Sequence, residues 1–211
     1  MHLFSSNNNI LRPPPNPLAA ALEGVLRKQF CYETDHGLEV RQRALKHLNI
    51  LINQWIQSIS LSRGMHWQDK DKLGGRIVTY GSYMLGISHQ GADIDALCIA
   101  PRHVTRSEYF TSFYTLLNLQ EEVTELRKIE KAFVPVIKFR YTGIEIDLTF
   151  ARLSVAEVPP EENCNDPGLH SDALPMDGMD AECIRSLNGY RSTIELHSLV
   201  PNKEVIFRFL G

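Results

Sequence analysis

The chain has 211 residues, 43% hydrophobic and 22% charged, with 22 Lys+Arg against 25 Asp+Glu for a net charge of −3. This is the balance of a globular protein with one sizeable core, or one domain and part of another. It excludes a polycation that grips nucleic acid through bulk charge, so any such contact must come from a local patch or from segments outside this chain.

Residues 1–17 (MHLFSSNNNILRPPPNP) are polar and proline-rich, which predicts a flexible arm, followed by a short helix over Leu18–Phe30. A stronger helix is expected from about Glu39. Leu45, Leu48, Ile52, Trp55 and Ile59 recur at gaps of three and four, opposite Arg43, Lys46, Asn49, Asn53 and Gln57, and Gly64 ends the pattern. Gly74-Gly75 breaks the chain before a strand at Ile77–Tyr80. Ile94–Ala100 reads as a second strand, stopped by Pro101. Thr105 and Glu108 have capping-box spacing, with Phe110, Phe113 and Leu117 as the buried face of the helix they open. Segment 119–132 fits helix or strand equally. Phe133–Tyr141 and Ile144–Ala151 flank Thr142-Gly143, a turn short enough to make them an antiparallel hairpin, with Glu145, Asp147 and Thr149 on one face of the second strand. After Val155, Pro159-Pro160 and Asp166-Pro167-Gly168 mark a long polar loop to about Gly178, where a domain boundary is expected.

No apolar run approaches the ~20 residues of a membrane-spanning helix, and the N-terminus lacks the order of a secretory leader. Cys31, Cys98, Cys164 and Cys183 form no CxxC pair, and the eight histidines show no HExxH spacing, so neither a disulfide framework nor a zinc site is predicted. Cys98 is expected to be a small buried hydrophobe with a reduced thiol.

Three acids carry the chemistry. Asp93 and Asp95 are two residues apart in an apolar run and would point the same way on a strand; Asp147 lies on a later one. Like charges side by side repel unless a cation or proton joins them. If the strands are neighbours, the three carboxylates converge as hard oxygen ligands suited to Mg²⁺ or Mn²⁺. Two such ions ~3.5–4 Å apart serve in-line phosphoryl chemistry. Upstream, Gly81-Ser82 follows a strand and opens a helix, offering backbone amides and a hydroxyl as a seat for phosphate. A glycine-serine turn, a DxD strand and a distant single aspartate, in that order, have the layout of a nucleotidyltransferase. No GxxxxGK[ST] supports a P-loop ATPase.

The blocks GADIDALC-APRHV, FTSFY, LQEEV, KAFVPVIK and GIEID-FARL between Gly81 and Leu153, with CIRSLNG at Cys183–Gly189 and LVPN at Leu199–Asn202, closely resemble eukaryotic nuclear poly(A) polymerases of the DNA-polymerase-beta-like nucleotidyltransferase superfamily. The resemblance spans about Glu39 to Asn202, apart from the loop at 157–180. It implies an α+β fold, with a mixed sheet, flanking helices and an incomplete helical second domain. The implied plan is an arm and short helix over 1–38, a catalytic domain over 39–156, a variable acidic loop over 157–180 and the truncated start of a helical domain over 181–211. Asp93, Asp95 and Asp147 would be the metal-binding catalytic triad, with Asp147 orienting or deprotonating the acceptor hydroxyl. Tyr80, Gly81, Ser82, Gln90 and Asn188 would contact the nucleotide.

The implied reaction transfers AMP from ATP to an RNA 3′ hydroxyl with two Mg²⁺ or Mn²⁺ ions. The implied partners are ATP, the RNA 3′ end and 3′-end processing proteins, with no membrane; the implied address is the nucleus, although the chain carries no localisation cluster. Two departures bear on activity. Gln90 stands where the family usually has lysine, removing a charge from the triphosphate's neighbourhood. The chain also stops at Gly211, before the rest of the helical domain and the RNA-binding domain expected from the family. The alternatives are a non-catalytic nucleotide- or partner-binding variant that modulates the full-length enzyme, and a nucleotidyltransferase with another acceptor.

Overall fold

The computed structural model describes residues 17, 18, 21, 24, 25, 33–65, 74–87, 89–158 and 178–199. Residues 1–16 of the expected arm, most of the expected Leu18–Phe30 helix, Cys31, Cys164, most of the polar loop and the last twelve residues lie outside them.

The first long helix, α1 (Asp35–Ser62), starts four residues before the predicted Glu39. Thr34 caps it by accepting from the Gly37 amide at 3.0 Å, and Asp35 sits favourably in the first turn. Leu48, Ile52, Trp55 and Ile59 are buried as expected; Ala44, Leu51 and Ile56 widen the stripe to the breadth a core-facing helix needs. Asn49, on the predicted polar face, instead accepts the Ile77 amide at 3.0 Å, bracketing the sheet's edge strand.

Five strands follow: β1 (Arg76–Tyr80), β2 (Ile94–Ala100), β3 (Val123–Ile129), β4 (Val136–Tyr141) and β5 (Ile144–Arg152), in the spatial order β1-β2-β5-β4-β3. β2 and β5 are parallel and every other pairing is antiparallel, so the sheet is mixed. One helical turn, α2 (Gly81–Leu85), follows β1 directly. The β4–β5 hairpin turns on Thr142 and Gly143, both at positive φ (46° and 88°), the two-residue geometry that matches strand twist. β4 starts at Val136 rather than Phe133, which is exposed. The ambiguous segment contains edge strand β3, whose side chains are mostly exposed and whose register shifts near Glu125 (φ 52°). Only Val123 and Leu126 are half-buried against the core, and their spacing of three breaks the alternation a strand would show.

Helix α3 (106–118) opens with the Thr105–Glu108 capping box and contains a π turn at Tyr109–Phe113. Phe110, Phe113 and Leu117 are buried as expected, and the wider turn brings Tyr109 inward as well. Its ring stacks on Phe150 at 4.8 Å and its hydroxyl donates to the Leu148 carbonyl at 2.7 Å. With Trp55, 5.0 Å from Phe113, these rings seal one face of the sheet: Ile94, Ala96 and Cys98 of β2 with Ile146, Leu148 and Phe150 of β5. Burial pushes the Cys98 thiol far above its usual range, so it is an inert core group.

The last described helix, α4 (Ala181–Leu199), lies on the other face. Asp180 accepts the Cys183 amide at 2.8 Å and pairs with Arg106, while the Cys183 sulfur accepts the Arg152 amide at 3.2 Å, tying the helix start to α3 and the end of β5.

Candidate active site

A row of side chains crosses the face under α4. Tyr80 of β1 is paired with Asp95 of β2, Asp95 with Asp147 of β5, and Asp147 with Lys138 of β4. Directly opposed residues project to the same side, so the parallel β2–β5 pairing fulfils the condition that the sequence left open. Asp93 lies one residue before β2 rather than on it and is exposed, while Asp95 and Asp147 are half-buried. Even so, one carboxylate oxygen from each of the three lies within 4.8 Å of the others.

The charge balance shows what the arrangement lacks. Burial first, then Asp93 and Asp147, raise the Asp95 carboxyl to about 6, with Lys138 opposing. Lys138 donates to Asp147 Oδ2, an ion pair that raises the lysine. Asp147 Oδ1 is buried and, among the described residues, accepts no hydrogen bond. A buried carboxylate oxygen without a donor is costly. A divalent cation would satisfy it, and the all-oxygen donor set suits Mg²⁺ or Mn²⁺ better than zinc.

Gly81 stands beside this row at φ +64°, and a Cβ there would come within 2.5 Å of Asp95 Oδ2, so only glycine allows the turn this close to the acid. Its amide, expected to be open to phosphate, donates to Thr193 Oγ1 of α4 at 3.0 Å. Ser82 follows on α2 and is half-buried. The Tyr80 ring packs beneath Gly189, where a Cβ would lie 3.0 Å from the ring, and its hydroxyl is 3.4 Å from Thr149 Oγ1. Burial raises the phenol, and the three carboxylates reinforce the shift.

Gln90 sits on an exposed turn and Asn188 on the exposed side of α4. Among the described residues, no hydrogen bond joins either to the carboxylates. Asn188 instead lines a shallow groove with Arg191, Ser192 and Glu195. Sequence reasoning missed Lys138, although a two-residue turn at Thr142-Gly143 pairs it with Asp147 by counting outward along both strands. It also missed Thr193, for which no local signal exists.

A mixed sheet with two carboxylates on its strands and a third just before them, beside a glycine-serine turn, fits the nucleotidyltransferase class of α+β folds. The chain belongs to the family described as the poly(A) polymerase nucleotidyltransferase domain, which matches residues 13–200. It is 39% identical over 190 residues to "Poly(A) polymerase pla1" of Schizosaccharomyces pombe, covering 90% of this chain and 32% of that protein. It is 34% identical over 196 residues to "Poly(A) polymerase PAPa" of Candida albicans, covering 93% and 34%. The chain thus spans about a third of the length of these curated relatives. Among solved structures, that described as mtPAP in complex with ATPgammaS overlaps partially, with a TM-score of 0.47 and 14% identity over 62% of this chain and 28% of that one.

Proposed function

We propose that this chain provides the catalytic domain of a polynucleotide adenylyltransferase, moving AMP from ATP to the 3′ end of messenger RNA in the nucleus. The observation that carries this reading is the convergence of Asp93, Asp95 and Asp147, with Asp147 Oδ1 buried and unpartnered, in a chain of this family. These three residues would hold one or two Mg²⁺ or Mn²⁺ ions, which when bound lower the pKa of the 3′ hydroxyl and neutralise charge growing on the phosphates.

The chain's own groups supply position. Gly81 keeps the turn clear of side chains next to Asp95, so that Ser82 can face a triphosphate. Lys138 holds Asp147 in place through its ion pair, and Asp147 would share the ion with Asp93 and Asp95. Tyr80, braced by Gly189, offers a fixed edge beside the nucleotide. Asn188 would approach from α4, as part of a helical domain beginning near residue 181, and the exposed Gln90 from the turn before Asp93. The partners are ATP, the RNA 3′ end and proteins of 3′-end processing.

A second reading, a nucleotide- or partner-binding variant that modulates a full-length enzyme, draws support from one observation: the Gly81 amide is already bonded to Thr193. Incubation with ATP, Mn²⁺ and an oligoadenylate primer separates the two. Primer extension that disappears in Asp95→Ala supports the transferase. Nucleotide binding without extension supports the modulator.

A further inference from the structure

We propose that Arg41 is a positioning residue for Asp93, acting through the backbone segment that carries it; this rests on the reading of the three aspartates as a divalent-ion site. Asp95 and Asp147 are fixed by the sheet ladder, but that ladder begins at Ile94, so Asp93 lies outside it. Its backbone follows Gly91, at φ +80°, and Ala92. The Ala92 carbonyl accepts Arg41 Nη2 at 2.7 Å, a contact that spans 51 positions in the chain and ends one residue from the acid.

The guanidinium is itself oriented. Its Nε donates to Glu33 Oε2 at 2.8 Å, and the other oxygen of Glu33 accepts the Thr34 amide at 2.9 Å, at the capped start of α1. The Arg41 side chain is 3% exposed and that of Glu33 10%. The planar fork engages two acceptors at once, which a lysine cannot do with fixed geometry. Stability alone is a poor reason for the pair: buried ion pairs are commonly replaced by apolar residues without loss, and Arg41 Nη1 is buried with no hydrogen-bond partner among the described residues. What an apolar side chain cannot do is hold the Ala92 carbonyl, and with it the direction of the most exposed of the three acids.

The test titrates the full chain with Mn²⁺ alone, following free ion by electron paramagnetic resonance, with urea unfolding as a control. The paired change Glu33→Gln with Arg41→Met leaves no single charge buried. Its expected result is a folded protein whose Mn²⁺ dissociation constant rises about tenfold or more. In an Asp93→Asn background the same pair is expected to add nothing, because the carboxylate it positions is gone. Wild-type Mn²⁺ affinity in the folded variant, or an undiminished loss in the Asp93→Asn background, overturns the proposal. If the paired variant does not fold, Arg41→Lys is read against the same two outcomes. Absence of Mn²⁺ binding by the unaltered chain would overturn the ion reading itself, a result distinct from a variant that binds normally.

Discussion

The two faces of the β2–β5 ladder are made from alternate residues of the same strands, yet they are opposites. On one, Ile94, Ala96, Cys98, Ile146, Leu148 and Phe150 are essentially buried, sealed by the Tyr109, Phe113 and Trp55 rings. On the other, Asp95 and Asp147 face each other in register, partly buried, with Asp93 close by and Lys138 paired to Asp147. The sealed face gains from burial and holds the backbone rigid. The open face is held in repulsion by that rigidity, as the proposed cation site requires. Stability and function therefore respond in opposite directions to changes one residue apart.

Perturbing each face separately tests this contrast. The largest effect is expected from Phe150→Ala on the sealed face. Removing a buried ring should destabilise by about 3–5 kcal/mol in urea unfolding. A loss below 1 kcal/mol would mean that the ring stack does not brace the ladder. Next comes Gly81→Ala on the open face, where positive φ and the clash with Asp95 Oδ2 combine. It should cost about 1–3 kcal/mol and weaken Mn²⁺ binding in calorimetry.

Asp95→Asn is expected to split the two properties. The metal-free protein gains on the order of 1 kcal/mol after solvent screening, while Mn²⁺ binding collapses. Destabilisation of the metal-free protein would break the picture of stored repulsion. The smallest effect is a pH slope. Because the folded Asp95 titrates at about 6 rather than 3.8, the unfolded chain loses this proton first as pH rises. Metal-free stability should therefore fall from about pH 4 to about pH 6 through this group, and Asp95→Asn should remove its share of the slope. Over the same range, Mn²⁺ affinity of the unaltered chain should weaken as pH falls, since the proton competes for the carboxylate.

Much of the site was legible because its signals are local. Asp93 and Asp95 share one short stretch, Gly81-Ser82 adjoins a predicted strand, and Thr142-Gly143 announces the hairpin that carries Asp147. Lys138 was legible too, given the turn, but needed the register to be counted. Thr193 and Arg41 were not, because each acts on a backbone group far away in sequence, Gly81 and Ala92 respectively, and side-chain identity says nothing about which distant backbone group it will meet. β3 escaped for a different reason: an irregular edge strand with only Val123 and Leu126 half-buried leaves no period-two pattern.

The sequence by itself determined the elements other than β3, the apolar and polar faces of the central strands, and the identity of the three acids, since helical and strand periodicities are properties of consecutive residues. Tertiary structure decided that β2 and β5 lie side by side and parallel, that Asp147 keeps a buried oxygen with no donor among the described residues, that α4 covers Tyr80 and takes the Gly81 amide, and that an arginine from α1 holds the segment before Asp93. Those are outcomes of long-range packing, which chain-local preferences do not encode.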